Sequence, residues 1–343
     1  MEVLIVNKDT KLSTNSKIAL GVAGGFILAL VMIPVLIVMA TTRAPEMMSD
    51  ALPTTGDEHP YYTDESDDEE VDRFYITVYR SETSEFQEIE FERYLIGVVA
   101  AEMPALFELD ALRAQAIAAR TYAMRILGHS DYISDTVMHQ VFLDDDQLRL
   151  RWGDHFDIHF ATIEEAVMST AGIVLKYNDE LITPMFFAMS SGATENSEDV
   201  FQTARPYLRT VSSTGYENHA SFATEERFTF DELREAFGDD TITADNISIL
   251  TYSEGGNVAE VKIGSQTYTG REVREILGLR SAAFSIRNRR GGIRFTTYGH
   301  GHGVGMSQHG ANVMARNGYD YEEILQHFYQ NVELMEKNFS NDE

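Results

Sequence analysis

At 343 residues the chain is long enough to bury a sizeable core in one large domain or two small ones. A formal charge of -28 argues against nucleic acid as a partner, because phosphate binding needs clustered lysine and arginine. The chain has no cysteine, which excludes disulfides, thiolate-bound zinc and a cysteine nucleophile.

Residues 1–17 are polar and carry Lys8, Lys11 and Lys17 ahead of an uncharged apolar run, residues 18–40. As a helix this run is about long enough to cross ~30 Å of hydrocarbon. With lysines before it and carboxylates after it, the positive-inside tendency puts a short tail in the cytoplasm and the rest of a single-pass membrane protein outside. The run exceeds the ~7 to 15 residues of a signal-peptide core, so a retained anchor is expected, although Met39-Ala40-Thr41 could serve as a weak cleavage site. Residues 41–72 are acidic, end in DESDDEEVD and contain Pro45, Pro53 and Pro60. Such a composition cannot offset the entropy of ordering and reads as a flexible, self-repelling tether, or as a tract that recruits a basic partner or a cation.

A folded domain is expected over residues 73–337. Phe74, Ile76 and Val78 alternate as one strand, SETSE turns the chain, and Ile89 and Phe91 continue the hairpin. A helix follows to Glu102, and another runs from about Leu109 to Leu127. Residues 172–176 and 181–189 look like paired strands around Tyr177-Asn178-Asp179-Glu180. Capping boxes at Thr229–Glu232 and Thr269–Glu272 open short helices. Between them, residues 247–252 and 258–263 form a hairpin around Gly255-Gly256, and Gly291-Gly292 joins two more strands. Residues 304–317 and 321–329 read as helices separated by Gly318. Hairpins and helices interleaved without βαβ spacing indicate an α+β class, a single large mixed domain after an N-terminal transmembrane helix and the acidic tether.

Four constellations could carry chemistry. Glu102 closes its helix, because the residue before Pro104 is pushed out of the helical region. At the negative end of a helix dipole and among apolar neighbours its pKa should rise, as a general acid requires, although the same local pattern describes a solvated helix-end glutamate. Arg120 sits among Ala116, Ile117, Ala119, Ala123 and Met124 at helical spacing and needs a partner, either at a site or as a tie between helices. The run Ser190–Ser197, with Ser191, Glu195 and Asn196, and the following Tyr207 suit a polar sugar-binding rim. The segment GHGHGVGMSQHG, with His302, Ser307 and Gln308, lets backbone approach a ligand closely. Its histidines, in a glycine loop with no nearby carboxylate, make a poor metal site.

Together YLIGVVAAEMP, ALRAQAIAARTYA, SSGATENSEDVF, PYLRTV and GHGVGMSQHGA, in this order over roughly residues 75–330, resemble the stage II sporulation protein D family. These are membrane-anchored lytic transglycosylases of endospore-forming bacteria, related to amidase enhancers. The resemblance implies that Glu102 is the catalytic acid/base, that Arg120 supports the site, and that Tyr207 and Arg209 match a tyrosine and a basic residue linked to activity in the family. It implies peptidoglycan glycan strands stripped of stem peptides as substrate, action at the septum during engulfment, and a complex with the sporulation proteins P, an amidase, and M. No cofactor is implied. Some members hold zinc through a His-Cys pair where this chain has His139-Gln140, and His300 stands where an aromatic is usual.

The reaction so implied cuts the β-1,4 bond between N-acetylmuramic acid and N-acetylglucosamine without water and leaves a 1,6-anhydro end. One carboxylate suffices for this. A two-carboxylate glycosidase would need a second acid ~5 to 9.5 Å away, with Glu195 and Asp199 as the candidates. A glycan-binding protein that stimulates an amidase without cutting is the non-enzymatic alternative.

Overall fold

The computed structural model describes residues 73–337. The expected transmembrane helix and acidic tether lie outside the described residues, among which no helix is long and apolar enough to cross a membrane. The described part is a mixed α+β fold, as the interleaved patterns require.

Strands β1 (Tyr75–Arg80) and β2 (Glu85–Glu90) pair antiparallel in the register Tyr75↔Glu90 to Arg80↔Glu85. Ile76, Val78 and Ile89 face the core. Helix α1 (Phe91–Glu102) follows at once, its first amides received by the Glu90 carboxylate. It ends where Met103 turns extended (φ -125°, ψ 146°), the conformation that Pro104 imposes on its predecessor. Helix α2 (Leu109–Leu127) is the central element: Ala111, Ala114, Ala116, Ala118, Ala119 and Ala123 are buried, and these small side chains let neighbouring elements approach closely on several sides. Strand β3 (Ile133–Ser134) joins β1 in parallel. Helices α3 (Asp145–Trp152) and α4 (Phe156–Met168) are linked by a 3-10 turn (Gly153–His155), and α4 packs on α1 and α2.

Strand β4 (Ile173–Tyr177) pairs with β5 (Glu180–Leu181) across the expected turn, where Asn178 and Asp179 take positive φ. The expected second strand, residues 181–189, does not run through. Pro184 has no amide to donate to a ladder, and the chain re-forms as β6 (Phe186–Phe187) with a different partner. Helix α5 (Ser197–Phe201) follows.

A second core gathers Leu233, Val261, Val273, Phe284 and Phe295. It is built from β7 (Ala223–Thr229), α6 (Phe230–Phe237), β8 (Ile247–Tyr252), β9 (Val258–Ile263), β10 (Gln266–Thr269), α7 (Gly270–Leu277), β11 (Phe284–Arg289) and β12 (Gly292–Tyr298). Its sheets run β10-β9-β8 and β11-β12-β7. Thr229/Glu232 and Thr269/Glu272 form complete capping boxes.

The glycine-rich segment then returns to the first core. Its backbone bridges Met189↔His300 and Glu195↔Val304, and β13 (Met306–Ser307) pairs in parallel with β6. The expected helix over 304–317 begins later, as α8 (Gln308–Arg316), because Gly303 and Gly305 have φ of +89° and +80° and the Ser307 hydroxyl caps Gly310 N–H. Helix α9 (Tyr321–Phe328) and β14 (Glu333–Glu336) complete the first core, β14 lying beside β4.

Candidate active site

Glu102 is the last residue of α1 and is partly buried. Burial pushes its carboxyl up from 4.5 to about 7, and the negative end of the α1 dipole acts in the same direction. Two neighbours pull the other way: the Arg151 guanidinium and the Gln308 side-chain amide both favour the charged form. The carboxyl is therefore poised where one group can both give and take a proton near neutrality.

Arg151 comes from the last turn of α3. Its Nη1 donates to Ala100 O at 3.2 Å and Ala101 O at 3.3 Å, two carbonyls at the end of α1. Gln308 comes from the first turn of α8 and donates through Nε2 to Gln115 Oε1 at 3.4 Å. Gln115 is fully buried on α2, and its Nε2 has no partner. So α1, α3 and α8 converge on one carboxylate, with α2 behind Gln308. Beyond it, the His309 ring packs edge-on to Phe107 at 5.1 Å, and burial pushes His309 down to about 4, which keeps it neutral.

Arg120 is not part of this group. Its guanidinium is fully buried and forks onto Glu92, Nε to Oε1 at 2.9 Å and Nη2 to Oε2 at 2.6 Å, with further bonds to Ile173 O (3.2 Å) and Val167 O (3.1 Å). Glu92 lies in the first turn of α1 and Glu102 in its last, about 15 Å apart at the helical rise. Of the two roles open in the sequence, the geometry gives Arg120 the structural one, tying α1 and α2 to the end of α4 and the start of β4.

The sugar-rim residues are also largely engaged in scaffolding. Tyr207 is buried, its hydroxyl accepting from Thr183 N–H at 3.0 Å and Arg205 Nη1 at 3.3 Å, so its ring has no open face for a pyranose. Arg209 forks onto Glu198 at 2.6 and 2.7 Å and holds α5 against the Arg205 carbonyl. Ser190 lies in a buried hydroxyl cluster, 2.5 Å from Tyr216 Oη, which is 3.3 Å from Ser307 Oγ. His302 accepts from Val304 N–H at 3.0 Å through Nδ1, bonds the Phe186 backbone, and packs on Phe187 and Phe201. At the two family departures, His300 Nδ1 accepts from Arg280 at 3.2 Å, and Gln140 is buried and donates to Ala119 O.

Glu195, Asn196 and Asp199 line a separate cavity of about 450 Å³, with Tyr252, Arg271 and Arg274 across it; Glu102 is not among its walls. Glu195 is buried and receives Asn257 N–H at 3.0 Å, and burial raises its pKa. Ser191, half-buried, lies near this cavity beside Gly256. Of the residues expected from sequence, then, Gln308 alone joins Glu102. Arg151 was missed, although the Asp144-x-x-Gln147 box, which the structure forms in full, announces the helix that carries it.

A family model described as a stage II sporulation protein matches residues 79–177, which include Glu102 and Arg151. The stage II sporulation protein D of Bacillus subtilis is 37% identical over 270 residues, covering 76% of this chain and 79% of that protein. The chain belongs to the stage II sporulation protein D family. The Bacillus amyloliquefaciens stage II sporulation protein D is also 37% identical, over 76% of this chain and 78% of its own. An amidase enhancer of Bacillus subtilis is a more distant relative, 27% identical over 70% of this chain and 40% of that protein. The matched segment thus holds both Glu102 and Arg151, and Gln308 reaches the same carboxyl from α8.

Proposed function

We propose that the protein is a peptidoglycan lytic transglycosylase acting in sporulation, with Glu102 as the single acid/base. The observation that carries this reading is a helix-end carboxyl raised to about 7 whose polar company is a cation and an amide. The carboxylates suggested as second acids, Glu195 and Asp199, line a cavity whose walls do not include Glu102. In the proposed cycle protonated Glu102 gives its proton to the glycosidic oxygen as the bond from C1 of N-acetylmuramic acid breaks. The C6 hydroxyl oxygen of the same sugar then bonds to C1, and its proton returns to Glu102. No water is consumed, and the sugar ends as the 1,6-anhydro form.

The substrate in this reading is glycan freed of stem peptides. The protein would work outside the membrane from its N-terminal anchor, in the space between mother cell and forespore, alongside the sporulation proteins P and M. Similarity to an amidase enhancer favours a second reading, in which the domain binds glycan and stimulates an amidase. Digestion of purified denuded glycan by the full chain and by Glu102→Ala separates the two. Cleavage by the wild type alone supports the enzyme; stimulation of an amidase by both proteins, with no cleavage by either, supports the enhancer.

A further inference from the structure

Arg151 carries more than a helix-capping role. Its two bonds to Ala100 O and Ala101 O are made by Nη1 alone. Nε and Nη2 make no hydrogen bond to the described residues, and neither is a buried orphan, so both reach solvent. The neighbouring arginines differ. Arg149 lies over the Phe156 ring at 3.9 Å, and Arg93 is paired with Asp145. Arg151 is held at the end of α1 beside the residue that ends it; burial lowers its pKa, and the Glu102 charge works against that, favouring its protonated form.

We propose that Arg151 is a positioning residue that stabilises the Glu102 carboxylate while it waits, between its two proton transfers, to act as a base. This rests on the reading of Glu102 as the acid/base. A carboxylate formed at the negative end of a helix, partly shielded from water, is disfavoured on both counts. A guanidinium anchored to the last carbonyls of that helix offsets both terms at once: it neutralises the helix end, and its charge acts through space on the new carboxylate. It does so without a carboxylate of its own to satisfy, so its field is available to Glu102 and to substrate oxygens entering from solvent. The anchoring also fixes distance, because two carbonyls of the same helix hold the cation while Glu102 changes charge.

The groups that act on Glu102 are Arg151 from α3 and Gln308 from α8; on α1 itself the Glu102 charge helps to keep the buried Tyr94 hydroxyl neutral, after burial. Removing the charge of Arg151 should therefore raise the Glu102 pKa above 7 by about one unit or more, the order expected for losing one opposite charge at close range. The test titrates Glu102 in the full chain by difference infrared spectroscopy of the carboxyl stretch, using Glu102→Gln as the blank, in wild type, Arg151→Gln and Arg151→Lys. The pH profile of glycan cleavage is recorded beside it. The expected result is an upward shift of the Glu102 titration and of the alkaline limb of the profile, which reports the loss of protonated Glu102, in Arg151→Gln, with kcat down about tenfold or more and KM little changed. Arg151→Lys should restore the titration to within about half a unit. If Arg151→Gln does not fold, Arg151→Met, which keeps the apolar stem over the helix end, takes its place. A folded neutral variant whose Glu102 titrates as in the wild type overturns the proposal. Absence of cleavage in the wild type, with the titration shift still present, would leave the Arg151–Glu102 coupling standing and reject the transglycosylase reading instead.

Discussion

Replacing Glu102 by Gln should stabilise the fold at alkaline pH while abolishing cleavage. The carboxyl rises from its ordinary value of 4.5 to about 7 on folding, so below pH 4.5 it is protonated in both states and contributes nothing. Between those values the folded chain holds a proton that the unfolded chain has lost, and stability falls as pH rises. Above 7 the folded protein carries the whole cost of an ionised, shielded carboxylate. At about 1.4 kcal/mol per pKa unit this cost is roughly 3 kcal/mol. The amide of Gln, which carries no charge, escapes that cost and can still meet Gln308. Denaturant unfolding followed through the single tryptophan, Trp152, at the end of α3, gives the comparison at pH 5 and pH 8. Glu102→Gln should be within about 1 kcal/mol of wild type at pH 5 and more stable by about 2 to 3 kcal/mol at pH 8. Equal stability at pH 8, or destabilisation at both values, would refute the shielding on which the acid/base assignment depends.

Arg120→Ala should leave Glu92 without its partner and lower folding stability by about 3 to 5 kcal/mol, with the molecules that remain folded still cleaving glycan. A well-folded Arg120→Ala protein with cleavage reduced a hundredfold would return Arg120 to the chemistry. Tyr207→Phe should cost about 1 to 2 kcal/mol, because the Thr183 amide and the Arg205 guanidinium lose a buried acceptor. Melting curves and cleavage rates measured on the same preparations check it, and a loss of rate with unchanged melting would show that the hydroxyl meets substrate.

What could be read from the sequence follows from which interactions are local. The alanine-rich period fixed α2, the threonine-glutamate boxes fixed α6 and α7, and Pro104 fixed the end of α1, so the placement of Glu102 was legible in a few adjacent residues. The burial of Arg120 was legible for the same reason. Its partner was not: Glu92 opens a different helix, and only the packing of α1 against α2 brings the two together. Tyr207 and His302 have residue types that suit a sugar rim as well as a core, and only burial distinguishes the two. Arg151 was hidden because α3 buries a single side chain, Leu148, and so has no apolar stripe to mark it as a helix. The break after Leu181 was signalled by Pro184, which the hydrophobic run around it outweighed in the strand assignment.

The most direct test of the single-carboxylate mechanism is the chemical identity of the new glycan end. Purified denuded glycan is digested by the full chain in heavy-oxygen water, and the products are analysed by mass spectrometry, with Glu102→Gln as control. The mechanism predicts 1,6-anhydro-N-acetylmuramic acid ends without heavy oxygen at the time of cleavage, and no new ends from Glu102→Gln. Reducing ends carrying heavy oxygen would mean that water attacked C1, and that a second group activating it belongs in the site.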